Sequence, residues 1–151
     1  MTAIGIFDLL LDGKRISEEY FAPGFTDYEY NLQYSCYRLD EVQAGEHELS
    51  VTVAAGWAVG RTTHISDTNK SESLLTADRP ALFAEWHVVY EDGSREVFHT
   101  DEDTEVTADG PYQYADFYDG EIYDAGFEEE KRCWKKADVV TPKIHPVIEA
   151  R

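Results

Sequence analysis

Positive charge is scarce in this sequence. Its 151 residues carry 13 Lys and Arg against 31 Asp and Glu, a formal net charge of −18 at pH 7. Such a field repels nucleic-acid backbones and anionic membrane surfaces, so neither is expected as a partner. It is compatible with neutral ligands, with cations, or with solubility alone. Cysteine is nearly absent: Cys36 and Cys133 stand far apart, which allows one disulfide, no CxxC spacing of a zinc or redox site occurs, and free thiols in a reducing compartment are the default expectation. Long apolar runs are missing. The N-terminal apolar stretch has no basic lead and is interrupted by Asp8, so it reads as neither signal peptide nor membrane span, and a cytoplasmic location is expected. There are no internal repeats and no low-complexity tracts. The five histidines (His47, His64, His87, His99 and His145) form neither HxH nor HExxH, and no nucleophile elbow or phosphate-cradling glycine loop is present.

What remains is a chain of one-domain size, 42% hydrophobic and 13% aromatic, long enough to bury a core without disulfide or metal. Its pattern is mostly β. Residues Ala3–Leu11 are apolar and end at the turn pair Asp12-Gly13. Tyr30–Leu39 alternates, with Leu32, Tyr34 and Cys36 on one face. Glu46–Val53 alternates most clearly, with Leu49, Val51 and Val53 inward. Leu82–Tyr90 and Arg95–Thr100 flank Asp92-Gly93 as a hairpin, which would bring Trp86 near His99. Glu105–Ala108 and Val139–Val140 are further short strands, and Arg61–Ala77, polar and aperiodic, is a long loop. Helix is expected only over Glu128–Lys136, where acids lead, lysines trail and Trp134 would anchor it. The expected fold is all-β: an antiparallel sandwich of jelly-roll type with a short C-terminal helix, spanning residues 1–141, with 142–151 leading on to a following domain.

One stretch concentrates chemistry. In "DFYDGEIYDAGFEEE" (Asp116–Glu130), seven of fifteen residues are acidic and aromatics stand between them. A glycosidase needs two carboxyls about 5 to 10 Å apart across the scissile bond, and Asp116, Asp119, Glu121 and Asp124 are candidates. A small sandwich has no deep pocket to hold a sugar ring and raise one pKa, so autonomous hydrolysis is not expected. Calcium takes six to eight oxygens. The stretch departs from the EF-hand pattern, because Tyr118 stands at the third position and Gly120 comes one place early, which leaves an irregular calcium site over Asp116, Asp119 and Asp124. Tyr114, Tyr118 and Tyr123 with Glu121 form a third candidate, aromatic faces for a sugar's apolar face beside a carboxylate for its hydroxyls. Against all three stands a plain structural role, with carboxylates accepting hydrogen bonds from loop amides and aromatics packing the sandwich edge.

Several stretches then align with a known pattern: "LDGKRI" (Leu11–Ile16), "APGFTDY" (Ala22–Tyr28), "YSCYRL" (Tyr34–Leu39), Gly56-Trp57 with Gly60, "DRPALFAEWHVVYEDGS" (Asp78–Ser94), "TDEDTEV" (Thr100–Val106) and "DFYDGEIYDA" (Asp116–Ala125). In this order and spacing they resemble the N-terminal β-sandwich domain of bacterial α-L-rhamnosidases, over nearly the whole chain. The resemblance implies a non-catalytic accessory module of a glycoside hydrolase whose catalytic site lies on a separate (α/α)-barrel domain. Its implied partners are a rhamnose-containing carbohydrate and that catalytic domain, and its implied role is to bind carbohydrate or shape the cleft. The alternative is a purely structural domain without a ligand. The resemblance adds Trp57 to the sugar-contacting set and, since some related modules bind rhamnose through calcium, keeps calcium as a candidate cofactor. The chain departs from the pattern at Ala55, Ala58, Thr104 and Gly126, where the family often carries a polar residue, Tyr, Trp and Arg.

Overall fold

The computed structural model describes residues 1–28, 30–40, 42–59, 79–117, 119–141 and 145–151. The expected loop Arg61–Ala77 and Tyr118 lie outside the described residues.

The apolar N-terminal stretch forms two strands, β1 (Thr2–Ile4) and β2 (Ile6–Leu11). Gly5 separates them with φ +127°, and a Cβ there would overlap the Ala54 carbonyl oxygen, so only glycine fits. The alternation of β2 sends Phe7 and Leu9 into the core, while Asp8 faces out and accepts from Arg15 at 2.7 Å. Asp12-Gly13 turns the chain into β3 (Lys14–Arg15), which pairs antiparallel with β2. A long loop follows, pinned by a bridge between Phe7 and Ala22, before β4 (Asn31–Tyr34). The next strand, β5 (Leu49–Ala54), pairs antiparallel with β2 along its whole length, from Ile6↔Ala54 to Leu11↔Leu49.

The second half is built of short ladders. β6 (Ala81–Phe83) pairs with β1, and β7 (Glu85–Val89) with β8 (Arg95–His99). β9 (Glu105–Val106) precedes the hairpin of β10 (Tyr112–Asp116) and β11 (Gly120–Tyr123). β12 (Lys135–Lys136) returns to β9, and β13 (Val147–Ala150) runs parallel to β4, the one parallel pair among the described residues. The fold is all-β, as expected. Its described pairings are two- and three-stranded ladders rather than the two four-stranded sheets of a complete jelly roll.

Two adjacent buried clusters hold it together. Ala3, Phe7, Leu9 and Ala22 form one, with Tyr37, Leu49, Val51 and Leu82 against it. Ile4, Tyr28, Leu32 and Ala58 form the other, with Trp57 and Ala81 against it. Full burial of a Phe or Leu side chain contributes about 1.5–3 kcal/mol. Among the described residues every buried hydrophobic except Ala84 falls within residues 3–58. β8 and β11, by contrast, are exposed along their length.

Three local expectations are corrected. The helix over Glu128–Lys136 is a single 3-10 turn at Glu129–Lys131, with no side-chain cap and no buried face. A helix this short gains little without packing, and the competing ladder wins: Lys135 and Lys136 pair with Val106 and Glu105, and the Ala137 amide donates to the Thr104 carbonyl at 2.8 Å. Trp134 is accordingly half-exposed rather than an anchor. The hairpin at Asp92-Gly93 exists, but Tyr90 and Ser94 close a three-residue loop with Gly93 at φ +84°. That extra loop residue slips the register by one place, so Trp86 faces Phe98 and His99 faces Glu85. Finally, the short strand expected at Val139–Val140 is not formed. Further on, Val147–Ala150 pairs with β4.

Candidate functional site

Four aromatic rings from three loops meet around Trp57. Gly56, at φ +57°, turns the chain just after β5, where an added Cβ would run into Ile6 and Gly5. The Ala58 and Val59 amides close this turn onto the Ala55 carbonyl at 3.3 Å. Ala58 drops into the core and Trp57 is left half-buried, one side against the Tyr28 cluster. Phe117, the first residue of the β10–β11 turn, stacks on Trp57 at 4.0 Å between centroids and 18° between planes. Phe21 and Phe25, from the loop between β3 and β4, meet Trp57 edge-on at 6.0 and 5.5 Å, and Phe21 also meets Phe117 at 4.9 Å.

Phe21 has φ +59°, a conformation that costs a bulky side chain of order 1–3 kcal/mol. The local framework holds it: the Phe7 amide donates to the Ala22 carbonyl at 2.7 Å, and the Tyr28 hydroxyl donates to the Gly24 carbonyl at 3.1 Å. Burial pushes the Tyr28 phenol up to about 12. Phe21 is 50% and Phe25 64% exposed, so the cluster presents ring surface to solvent. Beside it, Tyr20 packs on Phe21 and carries the Arg15 guanidinium 4.7 Å above its ring. Arg15 and Tyr20, with Ile16, Ser17 and Glu18, line an open depression of about 600 Å3. Sugar sites commonly combine exposed ring faces, a concave floor and a few polar groups.

The residues singled out from the sequence are only partly brought together. Trp57 is in the cluster. Tyr118 lies outside the described residues. In the β10–β11 ladder Tyr114 opposes Ile122, while Glu121 opposes Ala115 on the alternate face; Tyr123 packs on Tyr112 at 5.0 Å. The set is therefore divided between two sides of one hairpin. The carboxylates build the loop. Asp116 Oδ1 accepts from the Asp119 amide at 2.9 Å, and Asp119 Oδ2 accepts from the Tyr114 hydroxyl at 3.3 Å. Asp124 Oδ1 accepts from the Gly126 amide at 2.9 Å. Among the described residues no three or more His, Cys, Asp or Glu converge as metal ligands. The sequence alone does not single out Phe117, Phe21 or Phe25. The signal available for them was an aromatic residue within each of two motif stretches, "YFAPGF" and "DFYDG", which spacing along the chain cannot join.

An all-β module with a partly exposed aromatic cluster built from its loops is the class that fold and geometry define. The sequence matches the family model described as "Alpha-L-rhamnosidase N-terminal domain" over residues 1–151, and the chain belongs to that family. It is 36% identical over 125 residues to an alpha-L-rhamnosidase of Streptomyces avermitilis, covering 82% of this chain and 12% of that protein. It is 32% identical over 133 residues to one of Formosa agariphila, covering 85% and 13%. Among solved structures, the Streptomyces avermitilis alpha-L-rhamnosidase complexed with L-rhamnose superposes with a TM-score of 0.75 at 32% identity, over 94% of this chain and 14% of that one. The native enzyme of Aspergillus terreus superposes with a TM-score of 0.73 at 25% identity, over 94% and 17%. The chain thus spans about an eighth of the length of the curated relatives it matches.

Proposed function

We propose that this chain is a non-catalytic module of an α-L-rhamnosidase and that its aromatic cluster contributes to holding a rhamnose-containing carbohydrate at the substrate cleft. The observation that carries this reading is the Trp57–Phe117 stack ringed by exposed Phe21 and Phe25 beside the depression at Arg15–Tyr20. An apolar sugar face stacks on such rings, and a neutral sugar is not repelled by the net negative charge. Few polar groups converge there, so affinity in the millimolar to micromolar range is expected, about 4 to 8 kcal/mol. Chemistry is assigned to another part of the parent enzyme, a reading supported by Asp116 and Asp124, whose carboxylates serve as loop acceptors.

The test is a titration of the labelled chain with L-rhamnose, with and without calcium, followed by amide and indole NMR. Shifts confined to Phe21, Phe25, Trp57 and Phe117, and lost in Trp57→Ala, support the reading. A calcium-dependent rise in thermal stability that Asp119→Ala abolishes would add the Asp116, Asp119 and Asp124 cation site to it. Turnover of an aryl rhamnoside by the isolated chain would overturn the non-catalytic assignment.

A second reading is favoured by a different observation: β8, β11 and β13 expose Val97, Phe98, Ile122, Tyr123, Val147 and Ile148. On that reading the domain packs against the catalytic domain of its parent and has no ligand of its own. Absence of any sugar- or calcium-induced shift at millimolar concentration selects it.

A further inference from the structure

Outside the aromatic cluster, the Asp12-Gly13 turn is fastened to the segment entering β5 by one imidazole. His47 Nδ1 lies 2.8 Å from Asp12 Oδ2, and His47 Nε2 lies 2.7 Å from the Gln43 carbonyl oxygen. Both partners are acceptors. A neutral imidazole has one N–H and one lone pair, so it satisfies one of these contacts and sets a lone pair against an oxygen at the other; only the imidazolium donates to both. The other oxygen of the same carboxylate, Asp12 Oδ1, accepts from the Glu48 amide at 2.9 Å, and the Asp12 amide donates to the Glu48 carbonyl at 2.9 Å. Asp12 stands at φ +49°, so this strained turn residue is held by three contacts with residues 47 and 48. Directly beyond it lies the Leu11↔Leu49 end of the β2–β5 ladder, the longest pairing in the core.

We propose that His47 is a proton-dependent latch: as an imidazolium clamped between the Asp12 carboxylate and the Gln43 carbonyl it closes the β2–β3 turn over the entry to β5, and on losing its proton it releases that corner of the sheet. Asp12 faces it from the turn, Lys14 adds its charge to the field at Asp12, and Glu46 and Glu48 flank the histidine in its own segment. Asp12 holds the ring's proton affinity above the ordinary histidine value of 6.5, first through their hydrogen bond, with the Gln43 carbonyl adding to it. His47 in turn holds Asp12 below the ordinary 3.8. The signs bound a window. The contribution of His47 is complete below pH 6.5 and is lost as pH rises through its elevated value; that of Asp12 is complete above 3.8 and is lost as pH falls through its depressed value. The latch is therefore closed in mildly acidic solution and opens toward alkaline pH. The His47 side chain is 21% and the Asp12 side chain 47% exposed, so salt weakens the clamp.

The test follows the His47 imidazole and the Glu48 amide by NMR in the full chain and in His47→Gln and Asp12→Asn. In the unaltered chain His47 titrates above 6.5. Protection of the Glu48 amide from exchange, corrected for intrinsic rates, falls across that titration by roughly two- to fivefold, the range an exposed ion pair supports. In His47→Gln, protection is flat over the same pH range, and in Asp12→Asn the imidazole titrates lower than in the unaltered chain. A His47 titration at or below 6.5, or an equal fall of protection in His47→Gln, overturns the proposal.

Discussion

Trp57 and Phe117 lie 60 positions apart in the sequence and stack face to face, 4.0 Å between centroids and 18° between planes. The stack joins the turn after β5 to the β10–β11 hairpin, and so couples the buried half of the fold to its exposed half. Offset aromatic pairs are worth about 0.5–1.5 kcal/mol beyond the area they bury. Phe117→Ala should therefore lower stability by about 1–2 kcal/mol. In a Trp86→Phe, Trp134→Phe background it should also shift Trp57 emission to the red as water reaches the ring. Denaturant unfolding read by that emission checks both.

Gly56 gives a sharper expectation. Its φ is +57°, and an added Cβ would stand 2.7 Å from Ile6 Cγ2 and 3.2 Å from the Ile6 amide nitrogen. Gly56→Ala should cost about 1–3 kcal/mol through backbone strain and displaced β2 packing. Gly13, at φ +72° with open space around it, carries the conformational cost without the clash, so Gly13→Ala should be the milder variant. Chemical denaturation of the two side by side measures the difference.

Tyr28 links pH to the second core cluster. Burial pushes its phenol up to about 12, while an unfolded tyrosine ionises at 10.0. The stability that neutral Tyr28 contributes is complete below pH 10 and falls as pH rises from there toward 12. Tyr28→Phe should remove this alkaline limb and lose the hydrogen bond to the Gly24 carbonyl, about 1 kcal/mol. Thermal melts between pH 8 and about 11 compare the two chains.

The acid limb has its own carriers. Asp12 is held below 3.8 chiefly by His47, and Asp92 chiefly by the Ser94 hydroxyl, with the Ser94 amide helping. Both contributions are present above 3.8 and are lost as pH falls through the depressed values. The double variant Asp12→Asn, Asp92→Asn should melt lower than the unaltered chain at pH 6 and lose less on acidification. Melting curves taken down to about pH 2 test this.

The strand elements were legible where alternation was strong. The period of two in Glu46–Val53 marked β5, the apolar stretch ending at Asp12-Gly13 marked β2, and Asp92-Gly93 marked the β7–β8 hairpin. These rest on local chemistry, a half-buried face and a turn residue tolerant of positive φ, which neighbouring residues alone specify. The ordered motifs carried family membership, because a conserved-looking order is itself a property of the chain.

The site was less legible. Trp57 is legible through the resemblance, whereas nothing in the sequence sets its partners Phe21, Phe25 and Phe117 above Tyr114, Glu121 and Tyr123, which alternate onto different faces of one hairpin. Composition placed aromatics and acids in one stretch but not which of them turn toward a tryptophan 60 residues earlier. The Glu128–Lys136 helix failed for the same reason: acids before lysines suit a helix dipole locally, but Lys135 and Lys136 found backbone partners on β9. Sequence by itself determined the all-β class, the main strands and turns, and the family. Tertiary structure decided which rings stack, which way the last lysines pair and that His47 meets Asp12, because each depends on contacts between residues far apart in the chain, whose formation is set by how the core closes.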